Sequence, residues 1–141
     1  MNDLVAFLLA RLDEDEQAAR DAGGDRWHIG DAVDPTKPCN VHTFPDVRGV
    51  AQECGWLHAE HIARHAPERV LAEVEAKRRI IAEHSLRPAE ELLTGAPEFG
   101  CETCHDHSEY GIRPRGWCET LRLLSLPYAD RPGYREEWRP S

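Results

Sequence analysis

The first 22 residues have an apolar pattern with the period of an α-helix. At about 100° per residue, one face collects the apolar side chains: Leu4, Val5, Leu8, Leu9 and Leu12. Asp3 is placed to cap the amino end, and Gly23 to end the helix. The acidic run 13–16 falls on the polar side, and we interpret it as a solvated helix face rather than a phosphate mimic. The pattern predicts a helix over residues 1–22.

Residues 26–54 change to short apolar stretches separated by turn residues. Three candidate strands follow from this pattern: Trp27, Ile29 and Val33 in the first, residues 41–44 in the second and residues 50–53 in the third. Proline and glycine between them are typical of turns. This region therefore predicts a small antiparallel sheet of two or three strands.

The central part, residues 56–85, returns to a helical pattern. Residues 56–66 have a helical composition, and Pro67 suits the first turn of a following helix. Its apolar stripe consists of Val70, Leu71, Val74 and Ile81. Lys77 lies in the same stripe, where its stem can pack on the core while its ammonium group reaches solvent. His84 is three residues beyond Ile81, so the pattern places it on the inward face at the helix end.

Residues 86–141 form a third region with fewer regular signals. Prolines and glycines predict a loop over residues 86–100, with a possible short helical turn at 89–93. The same residue types argue against regular structure over residues 110–116. A helix is predicted over residues 117–126 and an extended tail after it.

Several side chains of this third region are expected to be buried. In the predicted helix, Leu121 and Leu124 face inward and Cys118 lies in the first turn, where the helix dipole favours a thiolate. In the tail, Tyr128, Tyr134 and Trp138 are expected to pack back on the body. Together the regions predict a single α+β domain over 1–141, mostly helical, with three or four helices, a small antiparallel sheet and a zinc knuckle.

The candidate metal ligands are His84, Cys101, Cys104 and Cys118. A Cys-x2-Cys pair lets two thiolates bind one ion, and three sulfurs with one imidazole suit tetrahedral zinc. His105 and His107 follow the pair directly, so either could replace His84 as the fourth ligand. The alternative without metal is a pair of loop thiols beside a histidine that caps a helix.

Other histidines and cysteines have weaker patterns. His61 and His65 are one helical turn apart and could chelate a metal together, but no third ligand follows from spacing, so we interpret them as surface or packed side chains. Cys39 and Cys54 have no ligand spacing and are interpreted as ordinary thiols.

Composition restricts the class of partner and the compartment. The formal net charge is −9, which argues against a general nucleic-acid or anionic-membrane surface. The basic residues of the central helices, such as Arg64, Arg69 and Lys77, make nucleic-acid binding a minor alternative. Five cysteines without a hydrophobic leader fit a reduced cytoplasmic protein. The longest apolar run, residues 4–10, is far too short to cross a bilayer.

Four segments resemble a known family. They are residues 61–65 (HIARH), 70–80 (VLAEVEAKRRI), 126–130 (LPYAD) and 134–138 (YREEW). The chain is similar there to an uncharacterised actinobacterial family, domain of unknown function 6221, and to small proteins of actinobacterial phages. The resemblance implies a Cys-x2-Cys and a later cysteine at Cys101, Cys104 and Cys118. His105 and His107 look particular to this chain, which favours His84 as the remaining ligand.

The expected function is that of a cytoplasmic structural-zinc protein, most simply a protein-interaction or regulatory module. The alternative is a metal-dependent hydrolase or deaminase-like enzyme that uses His58, Glu60, His61 and His65. In the deaminase pattern, a helix begins at the Cys-x2-Cys motif. Gly111 and Pro114 oppose a long helix after Cys101 and Cys104 in this chain. Cys101, Cys104 and His105 also match the pattern for covalent attachment of a c-type haem. We do not favour this alternative, because the sequence shows no export signal.

Overall fold

The computed structural model describes residues 2–30, 34–88, 99–104, 107–108, 111–112 and 116–140. Packing divides the chain into two compact units. The first, which we call the C-terminal unit, comprises Met1–Leu12 and Ala76–Ser141, and the second, the sheet unit, comprises Asp13–Glu75. The predicted single domain over residues 1–141 therefore stays a prediction.

The described residues contain four α-helices, which confirms the predicted mostly helical α+β class. Their bounds are α1 Asp3–Asp21, α2 Trp56–Arg64, α3 Pro67–Glu83 and α4 Glu119–Ser125. The stripe predicted for α3 is confirmed, since Val74 and Ile81 are buried and Lys77 is half-buried in the same row. No helix in the described ranges combines the length and the apolar character that a membrane span requires.

The sheet unit contains the predicted antiparallel sheet, in the order β1-β2-β3. The strands are β1 Arg26–Ile29, β2 Cys39–Phe44 and β3 Gly49–Cys54. Val33, expected in the first strand, lies outside the described residues.

The core of the sheet unit lies between this sheet and α2. Alternate residues of β2, including Cys39 and Val41, are buried, as the two-residue period of a strand requires. They pack with Ala59 of α2, and Trp27 and Ile29 of β1 complete the cluster. One face of the sheet is therefore apolar and is covered by α2.

The C-terminal unit has a core made of the start of α1, α4 and the last residues of the chain. Leu4, Leu8 and Leu121 are almost completely buried, as is Trp138. The burial predicted for Tyr128 and Trp138 is confirmed. The tail is not extended as predicted, however, because two short 3₁₀ helices, Leu126–Tyr128 and Glu136–Trp138, turn it back onto the core.

The segments on either side of the cysteine pair contain strands that the sequence pattern did not indicate. Strand β4, Leu86–Pro88, pairs antiparallel with β5, Phe99–Cys101, where the prediction was a loop. Strands β6, His107–Ser108, and β7, Gly111–Ile112, also pair, although residues 110–116 were predicted to be irregular. Strands of two or three residues are too short to show an alternating pattern, so the sequence does not reveal their pairing. The possible helical turn at 89–93 lies outside the described residues.

Candidate metal centre

The first residue of the candidate site, His84, directly follows the last residue of α3. Its backbone N–H still donates to the carbonyl oxygens of Ile80 and Ile81, at 3.1 and 3.2 Å. His84 therefore continues the helical path of a segment whose buried side chain, Ile81, lies one turn earlier. This placement agrees with the inward histidine predicted from the apolar stripe.

The cysteine pair is held against the end of α3 by main-chain pairing. Leu86 of β4 is the register partner of Cys101 of β5. After β5 the chain turns, and the backbone N–H of Glu102 donates to the carbonyl oxygen of Ser85 at 3.0 Å. The hydroxyl of Thr103 also donates to the carbonyl oxygen of Glu83. These hydrogen bonds bring Cys101 and Cys104 to His84.

The third cysteine, Cys118, is the N-cap residue of α4. The prediction placed Cys118 inside the first helical turn, but α4 begins one residue later, at Glu119. Just before it, Gly116 has φ +71° and donates its N–H to the carbonyl oxygen of Phe99 at 2.8 Å. A positive φ is readily available only to glycine, so Gly116 allows the chain to cross from β5 to the start of α4.

The four side chains converge on one point. The Nδ1 atom of His84 lies 3.5 Å from Sγ of Cys101, 3.3 Å from Sγ of Cys104 and 3.7 Å from Sγ of Cys118. One ligand atom from each residue lies within 4.8 Å of every other. We call these residues the metal group.

A common central ion accounts for these distances better than direct hydrogen bonds. A neutral or protonated imidazole nitrogen has one donor or acceptor position, so it cannot bond three sulfurs at once. With Zn–S of about 2.3 Å and Zn–N of about 2.05 Å, a tetrahedral site separates nitrogen and sulfur by about 3.6 Å. The three observed separations lie on either side of that value.

Burial and the neighbouring cysteines make the thiols of Cys104 and Cys118 poor acids when no metal is bound. Burial raises the pKa of Cys118 to about 12, to which the neighbouring Cys101 and Cys104 contribute, while the backbone N–H of Leu121 acts in the opposite direction. Burial likewise raises the pKa of Cys104, and the adjacent Cys101 adds to it. Without a cation at the centre, the fold therefore disfavours thiolates, whereas a bound metal ion would compensate their charge.

The metal group contains all four predicted ligands, and such a group could hold a metal ion. Among the described residues, it is the one cluster of three or more candidate ligands with this geometry. Coordination by these side chains and the identity of the metal stay predictions. The alternative ligand and haem-pattern residue His105 lies outside the described residues. Of the other alternative ligand, His107, the structure describes only the backbone, in β6.

The alternative enzymatic residues do not join the metal group. His58 and His61 are exposed on α2, and His65, which is also exposed, directly follows that helix. The rings of His61 and His65 have centroids 4.2 Å apart, and Nδ1 of His65 is 2.8 Å from the carbonyl oxygen of His61. Glu60 forms an ion pair with Arg64 at 2.8 Å. Among the residues that the structure describes, no third ligand completes a metal site with these histidines.

The two remaining cysteines lie in the sheet unit and face each other in register. Cys39 of β2 is the partner of Cys54 of β3, and its thiol donates to the carbonyl oxygen of Cys54 at 3.5 Å. Both are free thiols. Sequence spacing missed their pairing because register between strands is a tertiary property.

Comparison with known proteins gives a family but no activity. No curated protein and no solved structure matches the chain. The model of a family of unknown function, DUF6221, matches residues 1–140. This match confirms the family resemblance of the four segments, while the actinobacterial and phage origin stays a prediction. The chain therefore belongs to the family of unknown function DUF6221.

Proposed function

We propose that the metal group binds one zinc ion and that this ion has a structural role. The observation that carries the proposal is the convergence of three sulfurs on one imidazole nitrogen, at 3.3–3.7 Å. A set of three thiolates and one histidine is typical of structural zinc. Soft sulfur ligands also disfavour magnesium and calcium, which prefer oxygen.

The closed ligand set supports a structural rather than a catalytic role. Catalytic zinc keeps one position for water or substrate, whereas four protein ligands occupy every tetrahedral position. Cys101 and Cys118 are buried, at 4% and 8% exposure. The ion would connect the end of α3, the turn after β5 and the start of α4, which are far apart in sequence.

We further propose that the protein is a cytoplasmic interaction or regulatory module. Free thiols persist in a reducing compartment such as the cytoplasm, in agreement with five free cysteines. The net charge of −9 favours a protein partner over nucleic acid. On α4 and directly after it, Leu123 and Leu126 are exposed, at 52% and 38%. We propose this short apolar surface as the part of the C-terminal unit that contacts the partner.

The zinc proposal is tested by native mass spectrometry and thermal unfolding. We expect one zinc ion per chain, retained during exchange against metal-free buffer. Cys104→Ser should remove the ion and lower the melting temperature strongly, because structural zinc contributes about 10–16 kcal/mol of apparent binding free energy. The matched control is His58→Ala, whose side chain is exposed on α2 and whose loss should leave both measurements unchanged. Equal and small effects of the two substitutions would contradict the proposal.

The partner proposal has a separate test. Affinity capture from cells that contain the protein is quantified for the native chain, Leu123→Glu and Leu57→Glu. Leu57→Glu is the control, because Leu57 is also exposed, at 78%, but lies on α2 of the sheet unit and not on α4. We expect Leu123→Glu to abolish the capture of a specific protein that Leu57→Glu still captures. Equal capture by both variants would argue against the α4 surface.

The hydrolase alternative predicts a different metal stoichiometry. A catalytic centre at His61 and His65 would need a second ion whose binding is lost in His61→Ala. Zinc binding that does not change in His61→Ala favours the structural role.

A further inference from the structure

Two histidines of the sheet unit face each other across the first two strands. His28 of β1 and His42 of β2 are register partners in the antiparallel ladder. Partners in a ladder project their side chains to the same face of the sheet. Since the neighbouring Trp27, Ile29 and Val41 pack with α2, the strand period places both imidazoles on the opposite face. We call these two residues the histidine pair.

The separation of the two rings is close to that required by a shared metal ion. Their centroids are 6.1 Å apart and their planes make an angle of 46°. Two imidazoles that bind one tetrahedral ion through bonds of about 2 Å have ring centres roughly 5 Å apart. Small side-chain rotations would therefore bring one nitrogen of each ring onto a common ion.

The surroundings of the histidine pair form a cavity rather than a packed core. The cavity has a volume of about 440 Å³, and its walls include Pro38, Asn40 and Val47. Nδ1 of His28 is buried and has no hydrogen-bond partner among the residues that the structure describes. A buried polar atom without a partner is costly, so this nitrogen is available to a ligand that enters the cavity.

Glycine at position 30 makes room for one of the rings. A Cβ atom on Gly30 would lie 2.7 Å from Cδ2 and 2.8 Å from Nε2 of His42. These distances are far shorter than ordinary contacts, so any larger residue would displace the imidazole. Gly30 also donates its N–H to the carbonyl oxygen of Asn40 at 2.9 Å, which keeps the backbone beside the ring.

We infer that His28 and His42 form a second metal site, for a divalent transition-metal ion of the type that prefers imidazole, such as zinc or nickel. Imidazole nitrogens are good ligands for these ions and poor ligands for magnesium or calcium. Two protein ligands leave at least two coordination positions for water or for an exogenous ligand. The site is thus weaker and more open than the metal group, and it involves none of the same residues.

The test is a titration of the full-length protein, supplied with one equivalent of zinc, with Ni²⁺ as the probe. Calorimetry should detect one further ion per chain, and paramagnetic broadening in NMR spectra should centre on His28, Gly30 and His42. His28→Gln and His42→Gln should each weaken Ni²⁺ binding by at least about tenfold, because loss of a direct ligand exceeds the typical effect of an outer contact. Gly30→Ala should also weaken it, although it removes no ligand.

The matched control is the double substitution of His61 and His65 by Gln, which removes another pair of neighbouring imidazoles. The control should leave Ni²⁺ affinity unchanged, and unchanged melting temperatures would show that all variants are folded. Absence of a further Ni²⁺ ion in the native protein would overturn the inference. Loss of binding in the control, with full binding in His28→Gln and His42→Gln, would also overturn it.

Discussion

At His84, a single imidazole nitrogen faces three sulfur atoms, two of which are held as thiols by their surroundings. The fold raises the pKa of Cys104 and Cys118, chiefly through burial. At neutral pH the metal-free protein therefore carries these two sulfurs as neutral thiols. Metal binding needs thiolates, so the ion must displace their protons.

We predict that zinc affinity rises with pH. A group whose pKa is raised in the metal-free fold stays protonated below that pKa, so zinc and protons compete throughout the neutral range. Displacement of the protons of Cys104 and Cys118 alone corresponds to at least about a hundredfold gain in apparent affinity per pH unit, to which any proton displaced from Cys101 adds. Competition with a chromophoric chelator between pH 7 and 8 measures this slope. A zinc affinity that does not change with pH would mean that the thiols are not ligands. His58→Ala is the control and should show the same pH dependence as the native protein.

At the scale of elements, the C-terminal unit depends on its last 3₁₀ helix, Glu136–Trp138. Trp138 is only 2% exposed. Its centroid lies 5.2 Å from that of Phe7, 5.9 Å from that of Tyr134 and 6.4 Å from that of Trp117. Aromatic side chains bury large apolar areas and gain further energy from edge-on contacts. One side chain thus connects α1, the start of α4 and the end of the chain.

Trp138→Ala should therefore destabilise the protein by about 3–5 kcal/mol, the usual cost of removing a large buried aromatic residue. Urea unfolding of the zinc-loaded protein measures the change. Leu123→Ala is the control on α4, because its side chain is 52% exposed and its loss should cost within about 0.5 kcal/mol. A similarly small cost for Trp138→Ala would show that the tail does not stabilise the core.

At the scale of the whole molecule, we expect the two compact units to differ in their dependence on a bound metal ion. The metal group lies entirely in the C-terminal unit, whereas the core of the sheet unit is built from β1, β2, β3 and α2. The residues of the metal group lie at the end of α3, on β5 and in the turn after it, and at the start of α4. Small domains stapled by zinc commonly lose their fold when the ion is removed.

Removal of zinc by a chelator should therefore increase amide hydrogen exchange unequally. We expect the amides of β5 and α4 to exchange at least about tenfold faster, because their connection to the end of α3 is lost. The amides of β2 and α2 should keep most of their protection. Chelator saturated with zinc is the control. A uniform increase over both units, or none in β5 and α4, would contradict the predicted structural role of the ion.

The helices and the first sheet were predictable because their signals are local. The stripe of α3, with Val74 and Ile81 buried, is visible within a few turns of sequence, as is the alternation of Cys39, Val41 and Thr43 in β2. The pairings of β4 with β5 and of β6 with β7 were not predictable in this way. Their strands have only two or three residues, which is too short for an alternating pattern to be recognised in the sequence.

The sequence by itself determined the residue types available for a metal site and the faces on which the helical ones lie. Only the tertiary structure decided that His84 presents Nδ1 to sulfurs 17, 20 and 34 residues away, and that His28 stands opposite His42. The physical reason is the distance along the sequence over which each interaction acts. Helical and strand periods arise from neighbouring residues, whereas the convergence of ligands depends on strand register and on hydrogen bonds between distant segments.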